Sequence, residues 1–316
     1  MATILGLHHV TAIAGDPQQN IDFYAGLLGL RLVKLTVNYD DPTAYHVYYG
    51  DAQGHPGTIL TFFSWPGAMR GRGGTGQVTV TSFAVPGNSL SYWNARLRER
   101  GIAFEETESA FNEPLVSFSD PDGTRIELVS AAEANPDRSW DGGDVPAEFA
   151  ICGFHHVTLS EEGYERTASL LTDTMGFRVL REERNRFRYA VGSGEPGTLV
   201  DLLCVPGAKP GRIAVGTVHH VAWRTPSDEE QVLWRKTIGK LNYNVSPIID
   251  RTYFHSIYFR EPGGVLFEIA TDPPGFGVDE PSDQLGSHLV LPPWLEASRS
   301  ELEQLLPKVH IPASIR

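Results

Sequence analysis

The sequence predicts an α+β protein assembled from four copies of one small βαβββ unit. A duplication of the whole chain, a second duplication inside each half, and the same strand and helix punctuation in every quarter carry that prediction. Residues 6–11 read GLHHVT and residues 153–158 read GFHHVT, an offset of 147 (153 − 6) that holds without a gap from Gly29-Leu30-Arg31 to Gly176-Phe177-Arg178. Further on, Pro56-Gly57-Thr58 answers Pro196-Gly197-Thr198 at an offset of 140 (196 − 56). In the second half GTVHHV (216–221) opens a new unit, and GQVTVT (76–81) holds the same place in the first. PDGTRIELV (121–129) and PGGVLFEIA (262–270) close units two and four and set Glu127 opposite Glu268. Repeats of this kind outrank local pattern, because each copy is one supersecondary unit. The units run approximately over 3–65, 76–130, 151–206 and 215–272.

Each unit opens with a strand of alternating character, such as Leu5 to Ala14 or Val218 to Arg224. A helix follows. In unit one Asp16 is the expected N-cap and Pro17 the first helical residue; Ile21, Tyr24 and Leu28 share one face, and Gly29 ends the helix. In unit two Leu90, Trp93 and Leu97 repeat the spacing before Gly101, and in unit four Ser227 and Glu230 read as a capping box. Three short strands complete each unit, divided by turns such as Pro56-Gly57 and Pro262-Gly263-Gly264. The expected domains are 1–150 (units one and two) and 151–272 (units three and four). Residues 273–316, ending in a helical stretch from Leu295 to Leu306, read as a clasp over the core.

The bulk numbers narrow the function classes. A length of 316 residues suits two domains with real cores. A net charge of −13 gives no basic footprint for nucleic acid or an anionic membrane. Two cysteines, Cys152 and Cys204, are too few for a disulfide framework and read as buried free thiols of a reducing compartment. No signal peptide and no bilayer-length apolar run are visible, so the expectation is a cytoplasmic protein.

Six of the 11 histidines fall in doublets that open units one, three and four: His8-His9, His155-His156 and His219-His220. One strand histidine is an ordinary core residue; three doublets at equivalent repeat positions ask for a ligand. Glu268 sits between Leu266 and Ala270 on an apolar strand face, where a lone carboxylate costs several kcal/mol and a cation is the economical partner. Two imidazoles and a carboxylate, with open positions left over, match the facial triad of non-haem Fe(II) oxygenases. In a regular strand only one histidine of each doublet can face a given cavity. Other sets stay open: His156, His220 and Glu268 if units three and four share a site, or Glu127, Asp201 and His156 if units two and three pair. The last set lacks a second histidine, since Val80 stands at that place, and reads as a decayed site.

Paired βαβββ units with histidine on the first strand and an acid on the last resemble the vicinal oxygen chelate superfamily, which includes glyoxalase I, bleomycin-resistance proteins and extradiol dioxygenases. The closer resemblance is to its hydroquinone-type ring-cleaving dioxygenases. It rests on LHHVTAIAGDPQQNIDFY (7–24), YHVYYGD (45–51), GTVHHVAW (216–223), PGGVLFEIATD (262–272) and GFGVDEPSDQLGSHLVLP (275–292). The resemblance implies two glyoxalase-like domains with open barrel-like mixed sheets. It also implies metal ligands His9, His220 and Glu268, the second histidine of each doublet being the ligand. Fe(II) is the implied metal, with Mn(II) as the other candidate. Arg251, Tyr258, Thr11 and His219 are the implied groups around the substrate, whereas His8 and His219 are expected to face away from the ligands in an ideal strand. Matching PGTILTFF (56–63) to PGTLVDLL (196–203) sets Thr61 opposite Asp201, so the fourth acid of glyoxalase I enzymes is absent from unit one. The implied reaction inserts O2 beside a phenolic oxygen of a hydroquinone-like ring. The expected partners are that small aromatic substrate and O2, with no nucleic acid and no membrane, and with a homo-oligomer left open. Catechol-type cleavage, a glyoxalase-like isomerase and a small-molecule binding protein are the competing functions.

Overall fold

A computed structural model describes residues 2–311. Unit one comprises β1 (Leu7–Ala14), α1 (Pro17–Ile21), β2 (Arg31–Asn38), β3 (Asp41–Gly50) and β4 (Ile59–Ser64). Unit two comprises β5 (Gln77–Pro86), α2 (Leu90–Glu99), β6 (Phe104–Glu108), β7 (Pro114–Ser119) and β8 (Arg125–Ala131). Unit three repeats the order with β9 (Phe154–Glu161), α3 (Glu165–Ser169), β10 (Arg178–Glu183), β11 (Arg186–Ala190) and β12 (Leu199–Cys204). Unit four has β13 (Thr217–Thr225), α4 (Asp228–Lys240), β14 (Ile249–Asp250), β15 (Phe254–Arg260) and β16 (Leu266–Pro274). The chain is α+β, as the repeat predicts.

The helix signals hold with two differences. The Asp16 carboxylate accepts from the Gln19 amide at 2.9 Å, and Ile21, Tyr24 and Leu28 are buried, but the helix widens into a π turn over Asp22–Leu27. Ser227 caps α4 through the Glu230 amide, yet the Glu230 side chain accepts from the Thr3 amide at 2.6 Å rather than reaching back. That carboxylate ties the N-terminal segment to unit four. Cys152 is buried and Cys204 half-buried, both free.

Two eight-stranded sheets form, and they cut across the chain halves. One runs β14-β15-β16-β13-β1-β4-β3-β2 and joins units four and one; the other runs β10-β11-β12-β9-β5-β8-β7-β6 and joins units three and two. Domains drawn at 1–150 and 151–272 therefore follow the duplication but not the sheets. The reason is physical: every unit leaves its first strand as an open edge, and an open edge pairs with any compatible partner. β1 pairs antiparallel with β13, and β5 with β9. The sheets are stitched reciprocally, the Leu7 amide donating to the Gly197 carbonyl at 2.7 Å and the Phe154 amide to the Gly57 carbonyl at 2.9 Å. This explains the glycine before each doublet in units one and three. A Cβ on Gly6 (φ +129°) would lie 2.5 Å from the Gly197 oxygen, and one on Gly153 (φ +93°) would lie 2.9 Å from that of Gly57.

The C-terminal segment, over its described residues, packs along the first sheet. The Val290 amide donates to the Leu35 carbonyl on the edge strand β2, and Leu291, Leu302, Leu306 and Ile311 are buried. Lys34, fully buried, is held by Asp279 and Glu280 of the same segment. In the other sheet the equivalent edge strand β10 has no such cover; it is exposed along its length and carries Arg178, Arg181, Glu182 and Glu183, charges that suit a bare edge.

One unit boundary carries a buried acid. Glu161 replaces the alanine found at Ala14 and lies over Gly263, which takes the place of Asp122. Neither Glu161 oxygen has a hydrogen-bond partner, and burial, with the neighbouring Glu261 charge, pushes its carboxyl up to about 8. A carboxyl raised above its unfolded value contributes fully below that value and loses the contribution as pH rises through the folded one. Thermal melts from about pH 6 to pH 9 should show a falling midpoint that flattens in Glu161→Gln. An equally steep fall in the variant would exclude Glu161 as the cause.

Candidate metal centre and substrate cavity

The site begins with irregular strand pairing. His9 faces Ala222 and Thr11 faces His220, but Leu7 faces Trp223 and Ala12 faces Val218. Each slip inserts one extra residue, His8 on β1 and His219 on β13. The sheet of units two and three repeats the device, with His155 extra between Phe154 and His156. A bulge bends the strand and re-aims its side chain. The two imidazoles of every doublet therefore meet instead of pointing apart, with Nδ1–Nδ1 distances of 2.9 Å (His8–His9), 2.9 Å (His155–His156) and 2.7 Å (His219–His220). The expectation that His8 and His219 face away from the ligands is corrected by these bulges.

The first doublet sets the tautomer of His9. His8 Nε2 lies 3.1 Å from the Thr271 carbonyl, which can only accept, so Nε2 carries the proton. Burial lowers the His8 pKa and keeps the ring neutral, which leaves its Nδ1 as an acceptor. His9 must then donate from Nδ1. Its Nε2 faces Glu268 Oε2 at 3.2 Å and His220 Nε2 at 3.3 Å, while His220 Nε2 stands 2.9 Å from the same carboxylate oxygen. Three polar atoms thus converge on one point of a buried site, an arrangement that can accept a shared cation. His9, His220 and Glu268 are also the group of His, Cys, Asp and Glu side chains among the described residues arranged to hold a metal ion. The other Glu268 oxygen accepts from Ser256.

A cavity of about 420 Å³ opens above His9, His220 and Glu268. His9, Thr11, His219, His220, Arg251 and Tyr258 line it; Glu268 lies beneath, wholly buried. Tyr258 stands directly across the ladder from Glu268. Its hydroxyl accepts from Arg251 Nε at 3.3 Å, and burial, then the Glu268 charge, keeps the phenol protonated. Burial pushes the His219 pKa down to about 3, so this ring is neutral; its Nδ1 lies 2.7 Å from that of His220 and the ring lines the cavity. Phe23, Tyr45, Trp223 and Phe267, aromatics of the sequence motifs, belong to the core; Phe63, Trp65 and Phe254 supply the apolar wall.

Two cavity residues, His46 and Tyr48, carry a signal that doublet and triad spacing does not reveal. Thr61 occupies the place of the missing fourth acid, 3.0 Å from the Thr11 hydroxyl. His46 Nε2 bonds Thr61 at 2.8 Å and its Nδ1 bonds the Tyr48 hydroxyl at 2.9 Å. His46 and Tyr48 share a face of β3, two residues apart, which is the periodicity that could have found them.

The equivalent place in the other sheet is closed. Val80 faces Thr158 where His220 faces Thr11. Arg188, 2 % exposed, forms a bidentate pair with Asp201 at 2.6 and 3.0 Å, and Arg186 adds a third contact at 3.1 Å. His156 is committed there, 3.4 Å from Asp201, so the alternative set His156, His220 and Glu268 is not assembled.

Residues 6–128 and 153–269 match the Glyoxalase/Bleomycin resistance protein/Dioxygenase superfamily. The chain belongs to that superfamily. It is 47% identical, over 96% of each chain, to MhqO of Bacillus subtilis (strain 168), whose name marks it as a candidate ring-cleaving dioxygenase. It is 35% identical, over 94% of each chain, to the chlorohydroquinone/hydroquinone 1,2-dioxygenase of Sphingobium indicum. A crystal structure of a candidate dioxygenase from Bacillus subtilis superposes with a TM-score of 0.93, at 45% identity over 99% of each chain. Glyoxalase I from Zea mays shares the fold alone, with a TM-score of 0.63 at 15% identity over 84% of this chain and 92% of its own. These relatives place the chain among the ring-cleaving dioxygenases of the superfamily, a group of oxidoreductases. No helix among the described residues is long and apolar enough to cross a membrane.

Proposed function

We propose that this enzyme is an Fe(II)-dependent dioxygenase that opens a hydroquinone-like ring beside a phenolic oxygen, with His9, His220 and Glu268 as the metal ligands. The observation that carries the reading is the convergence of two bare imidazole nitrogens and one carboxylate oxygen beneath an aromatic-walled cavity. When bound, the metal supplies a shared template for the phenolic oxygen and O2 and stabilises negative charge on them. Three protein ligands leave positions open for both reactants. Thr61, in place of a fourth acid, favours this over a glyoxalase-like isomerase.

The protein groups have separable roles in this reading. His8 and His219 fix the ligand rings through their Nδ1 atoms, as outer partners of metal-binding histidines generally do. Arg251 is always cationic, and with Tyr258 it aims donors at negative charge that develops on substrate oxygens. His219 adds a further polar ring to the cavity wall. Thr11, held through Thr61 and His46, presents its hydroxyl beside His9. Free cysteines and the absence of a crossing helix fit a cytoplasmic setting.

Metal analysis after anaerobic loading with reductant, followed by O2 uptake on a panel of hydroquinones, tests the reading. Stoichiometric O2 consumption with a ring-opened product is expected, and activity should fade in air as the metal oxidises. Full turnover without O2 would make the enzyme an isomerase instead.

A further inference from the structure

The cavity mouth carries a charge arrangement that ring cleavage does not require. Residues 38–41 form the turn between β2 and β3, where the Asp40 amide is pinned to the Asn38 side chain at 3.0 Å. From that turn Asp40 reaches across the mouth to unit four, its Oδ2 accepting from Arg251 Nη1 at 3.3 Å. The Asp40 side chain is 76 % exposed and that of Arg251 21 %, so the carboxylate caps a guanidinium that points inward. Arg251 already spends Nε on Tyr258. Beside it Asp41 is held ionised by Thr43 and by Trp65 Nε1, which donates at 2.8 Å. Asp40, Asp41, Arg251 and Tyr258 all line the cavity.

A guanidinium on an aromatic-walled cavity would ordinarily recruit a substrate carboxylate as a bidentate partner. Here a protein carboxylate already takes the outward edge of that fork, and a second anion stands next to it. We infer that Asp40 is a specificity-determining residue: it occupies the carboxylate-binding edge of Arg251 and, with Asp41, rejects aromatic rings that bear an anionic substituent. The device is repulsive as well as competitive, which is how discrimination between similar ligands is generally built. It deepens the ring-cleavage reading, on which it rests for the identity of the ring.

The test compares wild type, Asp40→Asn and Asp40→Glu on two probes, neutral methylhydroquinone and anionic 2,5-dihydroxybenzoate. Dissociation constants are measured anaerobically by calorimetry, and turnover of both probes in air. The expected result is a neutral-over-anionic preference, in binding and in kcat/KM, that falls roughly tenfold in Asp40→Asn, the scale of one nearby charge pair near a protein surface. Asp40→Glu should restore most of it. The wild-type preference should shrink as salt is raised, because charges at an exposed mouth are screened. An unchanged preference in Asp40→Asn, or one insensitive to salt, overturns the assignment. A wild type that binds both probes but opens neither ring would defeat the ring-cleavage reading, and the ratio of dissociation constants would still decide the role of Asp40.

Discussion

Glu268→Gln is expected to lose most bound metal and to lower kcat/KM by about a thousandfold or more, several kcal/mol of charge stabilisation at tenfold per 1.4 kcal/mol. The fold should survive. Glutamine keeps the volume at a position with no exposed surface, and its carbonyl can still accept from Ser256. What it cannot supply is the negative charge on which His9 and His220 converge. Metal content by mass spectrometry and a thermal melt on the same sample separate the two effects. His9→Ala should likewise empty the site. His156→Ala should retain the metal and cost a few kcal/mol at most, as a truncated core side chain in the other sheet. Normal metal content in Glu268→Gln would remove the proposed centre altogether.

The limits of what was legible in the sequence follow from range. Repeat spacing, turn residues and helix caps are local, and they locate every unit and the rows on which His9, His220 and Glu268 stand. Which units share a sheet is not local. Units one and three present the same HHVT strand, and only contacts far along the chain, such as the pairing of β1 with β13, join unit one to four. The bulges were invisible for another reason. Strict alternation assumes an unbroken ladder, and it turns His8 and His219 away from the site, whereas one extra residue per strand brings them onto the ligand rings. His46 and Asp40 escaped notice because their roles depend on partners distant in sequence, Thr61 and Arg251. The Glu230 return bond failed because a distant backbone amide, that of Thr3, competed for the carboxylate.

Arg188→Met should destabilise the protein by about 3–5 kcal/mol, the cost of removing one member of a buried ion pair. That corresponds to a melting temperature lower by on the order of 10 °C. Where the first sheet converges two imidazoles and a carboxylate, the second places a guanidinium, so the cation that Asp201 needs is supplied by the chain itself. Methionine fills the space but leaves Asp201, fully buried, with the single Arg186 contact at 3.1 Å and with His156, whose imidazole burial drives toward the neutral form. Glu113 loses its bond from Arg188 as well. Metal content and ring cleavage should be untouched, because no residue of this cluster lines the cavity above His9. The pairing can be isolated by adding Asp201→Leu. If the loss comes from a stranded carboxylate rather than from packing, the double variant should recover much of the stability, since replacing both partners of a buried pair by apolar groups is often neutral. A single variant that melts with the wild type would show that Asp201 is satisfied without Arg188.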